Sequence, residues 1–206
     1  MFIFLASAVT AMAVENPVFA RALGTSRESL FIDGARSGIL LGVLFTWMAL
    51  LSSLLVALVN YLLFFTMLPF LIWRVLDVVL FLLPVLYLVG VALVYVLTVK
   101  VLLVKLNFWG YSGKLISIAP LVTFNTALFG VFFIADSQNF GSVDTIGYAV
   151  GSGAGYTIAV LALYYARVRL SLSTVPRAFR GLPVLLIYMG LVSLALSGLT
   201  GQRLPT

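Results

Sequence analysis

The sequence has no cysteine and no histidine, and acids are scarce: six Asp and Glu against twelve Lys and Arg in 206 residues. The missing cysteine excludes disulfides, thiolate-bound iron–sulfur clusters and cysteine nucleophiles. The missing histidine excludes His-ligated haem, the common zinc sites and imidazole-based acyl transfer. Charge of either sign is thin, at 9% of residues, where a soluble domain carries about a quarter. Apolar residues take its place, at 63% of the chain with a mean hydropathy of +1.21. A chain of this size cannot hide so much hydrocarbon from water inside one globule. It reads as an all-α integral membrane protein whose first partner is the lipid bilayer. The formal charge of +6 is then a matter of topology, not of nucleic-acid binding.

Because charges are sparse, they punctuate the chain. The uncharged intervals Met1–Val14, Ser37–Trp73, Val78–Val99, Leu115–Ala135, Thr145–Ala166 and Gly181–Gln202 contain 14, 37, 22, 21, 22 and 22 residues. A crossing helix takes about 20, so four intervals hold one span each. The longest interval divides at Pro69, giving spans over 38–66 and 70–99; the next three run over 113–135, 143–168 and 181–200. The first interval is too short, and Glu15-Asn16-Pro17 interrupts it, because proline breaks or kinks a helix. Val18–Leu23 then completes a broken crossing that ends at Gly24. The alternative is a cleaved signal peptide ending at Ala11-Met12-Ala13, against which stands the lack of Lys or Arg ahead of the apolar core. Six spans put ten of the twelve basic residues on one face: Arg21, Arg27, Arg36, Lys100, Lys105, Lys114, Arg167, Arg169, Arg177 and Arg180. The positive-inside rule makes that face cytoplasmic and puts both termini outside.

Divided near Asn107, the single membrane domain becomes two three-span halves, 1–106 and 107–206, that must lie inverted relative to each other. Their opening segments are alike: Val14-Glu15-Asn16-Pro17-Val18-Phe19 and Thr123-Phe124-Asn125-Thr126-Ala127-Leu128. Each places an Asn in mid-span and then runs to a glycine, Gly24 or Gly130. First and fourth helices broken mid-membrane in inverted repeats point to a site at the midplane, where irregular backbone persists only against protein or a wet cavity. The candidates for that site or an ion path are Glu15, Asn16, Asn125 and Thr126. Glu15 is either functional, as an ionisable group at such depth suggests, or paired with Arg21 or a backbone amide at the break. The two asparagines either coordinate a cation or substrate, or satisfy freed backbone groups and join helices. Arg74 and Asp77, three residues apart, share a helical face as a salt bridge or as part of an ion path. Gly147, Gly151, Gly153 and Gly155 follow no strand and read as helix packing, not a phosphate loop. Trp73, Trp109, Tyr111, Tyr164 and Tyr165 fall near span ends as interfacial anchors.

These motifs carry a resemblance. Glu15-Asn16-Pro17-Val18-Phe19-Ala20-Arg21-Ala22-Leu23-Gly24 is similar to the first-helix motif of the small membrane subunits of Rnf-type electron-transport complexes and of sodium-pumping NADH:quinone reductases (Nqr). Pro120–Asn125 with Ala127–Gly130 resembles their fourth-helix motif, and Val175–Gly181 the cytoplasmic loop before their last helix. Features of both paralogous subunit types occur: the outside N-terminus and the Val-Pro…Arg-Gly loop suit one, Glu-Asn-Pro the other. The resemblance implies the cytoplasmic (inner) membrane of a prokaryote and an inverted paralogue as partner, or a homodimer, with flavoprotein or iron–sulfur subunits beside them. It also implies a cysteine just after the first motif's glycine and another directly after the second motif's asparagine, which hold an iron–sulfur centre between two paralogues. Here those positions read Ser26 and Thr126, and hydroxyls are poor substitutes for thiolate on iron. No cofactor is therefore expected on this chain itself; flavin or iron–sulfur would reside in partners. Ser197-Gly198-Leu199-Thr200 only faintly echoes a flavin-attachment sequence, since alanine is missing before the threonine. The chain reads as a scaffold subunit of such a complex, not an enzyme alone. The alternatives are a cluster-free ion or small-solute transporter or channel on the same fold, and an assembly scaffold.

Overall fold

A computed structural model of the chain describes residues 2–25, 34–62, 73–100, 112–138, 140–172 and 174–200. Among them there is no strand. Helix α1 (Phe2–Val9) opens into a π turn over Thr10–Val14. Then come α2 (Ala35–Leu62), α3 (Trp73–Leu97), α4 (Ser112–Thr123), α5 (Thr126–Ser137), α6 (Ser142–Ser171), a 3₁₀ turn at Arg177–Phe179, and α7 (Leu182–Thr200).

Three segments, Ala35–Val59, Phe81–Lys100 and Ser142–Ser171, are long and apolar enough to cross a membrane; α4 and α5, bent by 40° at a short break, make a fourth if taken as one. Ile3–Val14 and Leu182–Gly198 are shorter apolar helices. Helices therefore occupy the intervals the charges delimit, to within a few residues. The expected division at Pro69 lies outside the described residues.

The core is organised around α6. On one side its glycines receive α1 in register: Gly147 lies against Phe4 and Ser7, Gly151 against the Ala8 backbone, Gly155 against the Met12 backbone. Both chains advance four residues per contact in the same direction, so the helices run parallel, with their backbones as close as a missing Cβ allows. Gly153 turns to Thr46 of α2 instead, while Gly42 meets Thr157 and Gly38 meets Leu161 and Val160. That order makes α2 antiparallel to α6. Phe45 seals the seam, stacked on Tyr156 at 4.3 Å between ring centroids. The glycine run is thus packing on two faces at once.

The outer helices match an apolar medium. Helix α3 buries Leu83, Tyr87, Val91 and Val94, one stripe at helical spacing, and exposes Leu88, Val89, Leu93 and an 82% accessible Phe81. On α7, Leu185 is buried while Leu191 and Leu194 face outward. Apolar surface of this extent suits lipid or a partner helix and not water.

The first break differs in form from the second. Val18–Leu23, the apolar piece expected to complete the first broken crossing, is not helical: residues 17–24 form turns. Pro17 offers no N–H to continue the helix. Its carbonyl accepts from Leu23 N at 2.8 Å, and the chain curls through positive φ at Ala22 (54°) and Gly24 (73°). Helix α3 includes Trp73, Arg74 and Asp77, but their side chains, like Ser26, Trp109 and Tyr111, lie outside the described residues. Tyr164 and Tyr165 sit in the last turns of α6, edge to face at 5.3 Å.

Replacing Gly151 by valine forces a side chain into the α1 backbone, which cannot rotate away. A loss of about 3 kcal/mol is expected, the upper end for overpacking, read as a lower melting temperature in detergent. Gly190→Val, at a glycine with open space around it among the described residues, should melt like the parent.

Candidate functional site

The two breaks are built from the same device. Asn16 is 3% exposed and uses its whole amide: Oδ1 accepts from Val18 N (3.0 Å) and Phe19 N (3.2 Å), and Nδ2 donates to Met12 O (3.2 Å) and Gly155 O (2.9 Å). Asn125 is 5% exposed and caps α5 from extended backbone. Its Oδ1 accepts from Ala127 N (3.0 Å), and its Nδ2 donates to the Tyr156 hydroxyl (3.0 Å). In each case the oxygen takes orphaned N–H groups at a chain break, as N-cap residues do, while the nitrogen anchors the break to α6. The anchors are consecutive residues, Gly155 and Tyr156.

The breaks also touch each other. Gly24 N donates to Thr126 Oγ1 at 2.9 Å. Gly24 has to be glycine twice over: its φ is +73°, and a Cβ would lie 2.7 Å from the Tyr156 ring and 2.9 Å from Asn125 Oδ1. Leu23 packs onto Gly130, so the glycine that closes each motif lies at this junction. Of the four candidates from the sequence, Asn16, Asn125 and Thr126 are brought together here.

Glu15 forms a second, adjoining network. Its carboxylate receives Arg21 Nη2 (3.4 Å), Gln138 Nε2 (3.1 and 3.2 Å to the two oxygens) and the Tyr148 hydroxyl (3.0 Å). The turn supplies Arg21, the end of α5 Gln138, and α6 Tyr148. The Glu15 side chain is 21% exposed. Arg21 thus lies in the turn beside Glu15, although the charge count assigns it to a loop.

Sequence reasoning missed Tyr148 and Tyr156, and Ser152 between them. The three recur every four residues along α6, so they share a face that runs from the Glu15 network to the Asn125 break. Ser152 is wholly buried, and its Oγ has no hydrogen-bond partner among the described residues. The spacing was readable; the partners, more than 100 residues away for Tyr148, were not.

The donors do not fit an iron–sulfur centre. Thr126 offers a hydroxyl already engaged by Gly24, the chain has no thiol, and no group of three His, Cys, Asp or Glu converges among the described residues. What the junction offers is a set of oxygens and amides, suited to positioning backbone or binding hard cations and water.

Asn16→Ala leaves two buried N–H groups without an acceptor and should cost about 2–4 kcal/mol, at 1–3 per orphaned group. Tyr156→Phe removes one acceptor and should cost about 1 kcal/mol. A double-mutant cycle of Tyr156→Phe with Asn125→Ala, followed by thermal or denaturant unfolding in detergent, should return a coupling near that single bond.

Comparison with known proteins agrees with the motifs. The family described as Rnf-Nqr subunit, membrane protein, matches residues 4–202. The chain is 28% identical over 200 residues to a subunit of the Na(+)-translocating ferredoxin:NAD(+) oxidoreductase complex of Acetobacterium woodii, covering 95% of this chain and 96% of that one. It is 33% identical over 133 residues to a subunit of an ion-translocating oxidoreductase complex of Pectobacterium carotovorum, with 63% and 69% covered. It is 35% identical over 85 residues to a subunit of the Na(+)-translocating NADH-quinone reductase of Aeromonas salmonicida, with 41% and 43% covered. With the family matched over nearly its whole length, and with the motif residues of both breaks meeting on α6, the chain belongs to the Rnf-Nqr family of membrane subunits.

Proposed function

We propose that the chain is a membrane subunit of an Rnf/Nqr-like ion-translocating electron-transport complex, in which it scaffolds the midplane without supplying cluster ligands. The observation that carries this reading is the contact between Gly24 and Thr126. It joins the two motifs beside which the family resemblance puts the cluster cysteines, and so supports a scaffold role for a chain without thiols. Partners follow from the same reading: an inverted paralogue, with flavoprotein or iron–sulfur subunits holding the redox groups.

The parallel course of α1 and α6 and the antiparallel course of α2 and α6 support six alternating spans in two inverted halves. Two helices of equal direction are the first and fifth, as that scheme requires. With the basic face inside, Ser142 faces the exterior and Ser171 the cytoplasm. A membrane-impermeant maleimide should label Ser142→Cys on intact cells and Ser171→Cys only after permeabilisation; the reverse pattern would invert the orientation. The chain has no cysteine of its own to confuse this experiment.

A second reading, a cluster-free cation transporter or channel on the same scaffold, is favoured by the Glu15 network and by the buried Ser152 hydroxyl next along α6. Purification of the tagged chain from its native membrane in mild detergent, with mass spectrometry and iron and flavin analysis, separates the two. Co-purified flavoprotein or iron–sulfur subunits are expected. A metal-free, flavin-free oligomer of this chain would sink the complex reading. Cation flux by that oligomer, lost in Glu15→Gln, would establish the second.

A further inference from the structure

At the end of α6 remote from Glu15, the sequence is basic. Arg167, Arg169, Arg177 and Arg180 fall within fourteen residues, and no acidic residue follows Asp144 in the chain. Topology alone explains their number. It does not explain why two of them converge on a cavity. Arg167, from the last turns of α6, and Arg180, from the turn before α7, line a hollow of about 300 Å³ together with Leu170, Val184 and Leu185. Arg180 is held there by its Nε, which donates to Val175 O at 2.9 Å.

Leu170 is also a wall of a second hollow, about 350 Å³, between α6 and α7, lined further by Ala162, Tyr165, Ala166, Arg169 and Tyr188. Apart from Arg169, its wall is apolar and aromatic. Meeting at Leu170, the two hollows follow the groove between α6 and α7, with Arg167, Arg169 and Arg180 toward the end of α6 and Ala162, Tyr165 and Tyr188 beyond them. An anion alone would leave the apolar part unfilled, and a neutral apolar helix would offer the arginines no opposite charge.

We propose that this crevice binds an anionic phospholipid, its phosphate between Arg167 and Arg180 and an acyl chain against Leu170, Tyr165 and Tyr188. Basic pockets between membrane helices on the cytoplasmic side suit such headgroups. The inference needs only that the chain is a membrane protein and stands apart from the electron-transport reading.

The test uses the tagged full chain with the subunits that accompany it, incubated with an equal mixture of dioleoyl-phosphatidylglycerol and dioleoyl-phosphatidylcholine. Retained lipid is quantified by mass spectrometry after gel filtration. Phosphatidylglycerol is expected in about tenfold excess or more, at roughly a kilocalorie per arginine near the headgroup. Arg167→Gln with Arg180→Gln should abolish the excess, and Arg36→Gln, on α2, should leave it. Equal retention of the two lipids by the parent chain overturns the proposal without recourse to a variant. So does an unchanged excess in the double variant, or an equal loss in Arg36→Gln. Competition by inorganic phosphate at the lipid's own concentration would assign the site to a free anion and overturn it as well.

Discussion

In hydrocarbon, a backbone N–H or C=O that loses its helical partner has no water to turn to, and each such group left bare costs several kcal/mol. A membrane chain that interrupts its helices in a buried place must therefore carry its own solvent. Here that solvent is two asparagine amides. An amide is the one uncharged side chain with both two donors and a two-lone-pair acceptor. It can cap freed N–H groups with its oxygen while its nitrogen ties the break to a neighbour. Serine or threonine could do the first task, but not both so fully, and a carboxylate would bring a charge.

From that constraint the rest of the packing is set. A break anchored to α6 needs the backbone or hydroxyl of α6 within hydrogen-bond reach. Gly155 provides the first, because without a Cβ its carbonyl is open to Asn16. Tyr156 provides the second, and its ring, stacked on Phe45, is fixed before its hydroxyl is used. The seam of Gly147 and Gly151 brings α1 close enough for Gly155 to work. Glu15 is then carried to the same region as a consequence of being next to Asn16, where Arg21, Gln138 and Tyr148 compensate its charge.

Much of this was legible in the residues because a bilayer simplifies the code. Uncharged intervals gave the helices to within a few residues: 143–168 expected against 142–171 for α6, and 181–200 against 182–200 for α7. The break at Asn125 was legible too, since Pro120 removes one rung of α4 and Asn125 is a strong cap for α5. The path after Pro17 was not. Apolar composition from Val18 to Leu23 fits a helix and a buried turn equally, and only the left-handed backbone at Ala22 and Gly24 decides between them. The identity of the anchors was hidden for a different reason: Tyr148 and Tyr156 gain their meaning from residues distant in sequence. No local pattern marks a tyrosine as the receiver of an asparagine.

The separation between Asn16 and Gly155 is 139 residues, and it sets an order of events during synthesis. At a translation rate of about 5–20 residues per second, the carbonyl that completes Asn16 emerges on the order of ten seconds after Asn16 itself. For that interval the first segment has neither its glycine seam nor its anchor. The break at Asn16 therefore reaches its final hydrogen bonding only after α6 has been made, whatever the order in which α2 and α3 enter the bilayer.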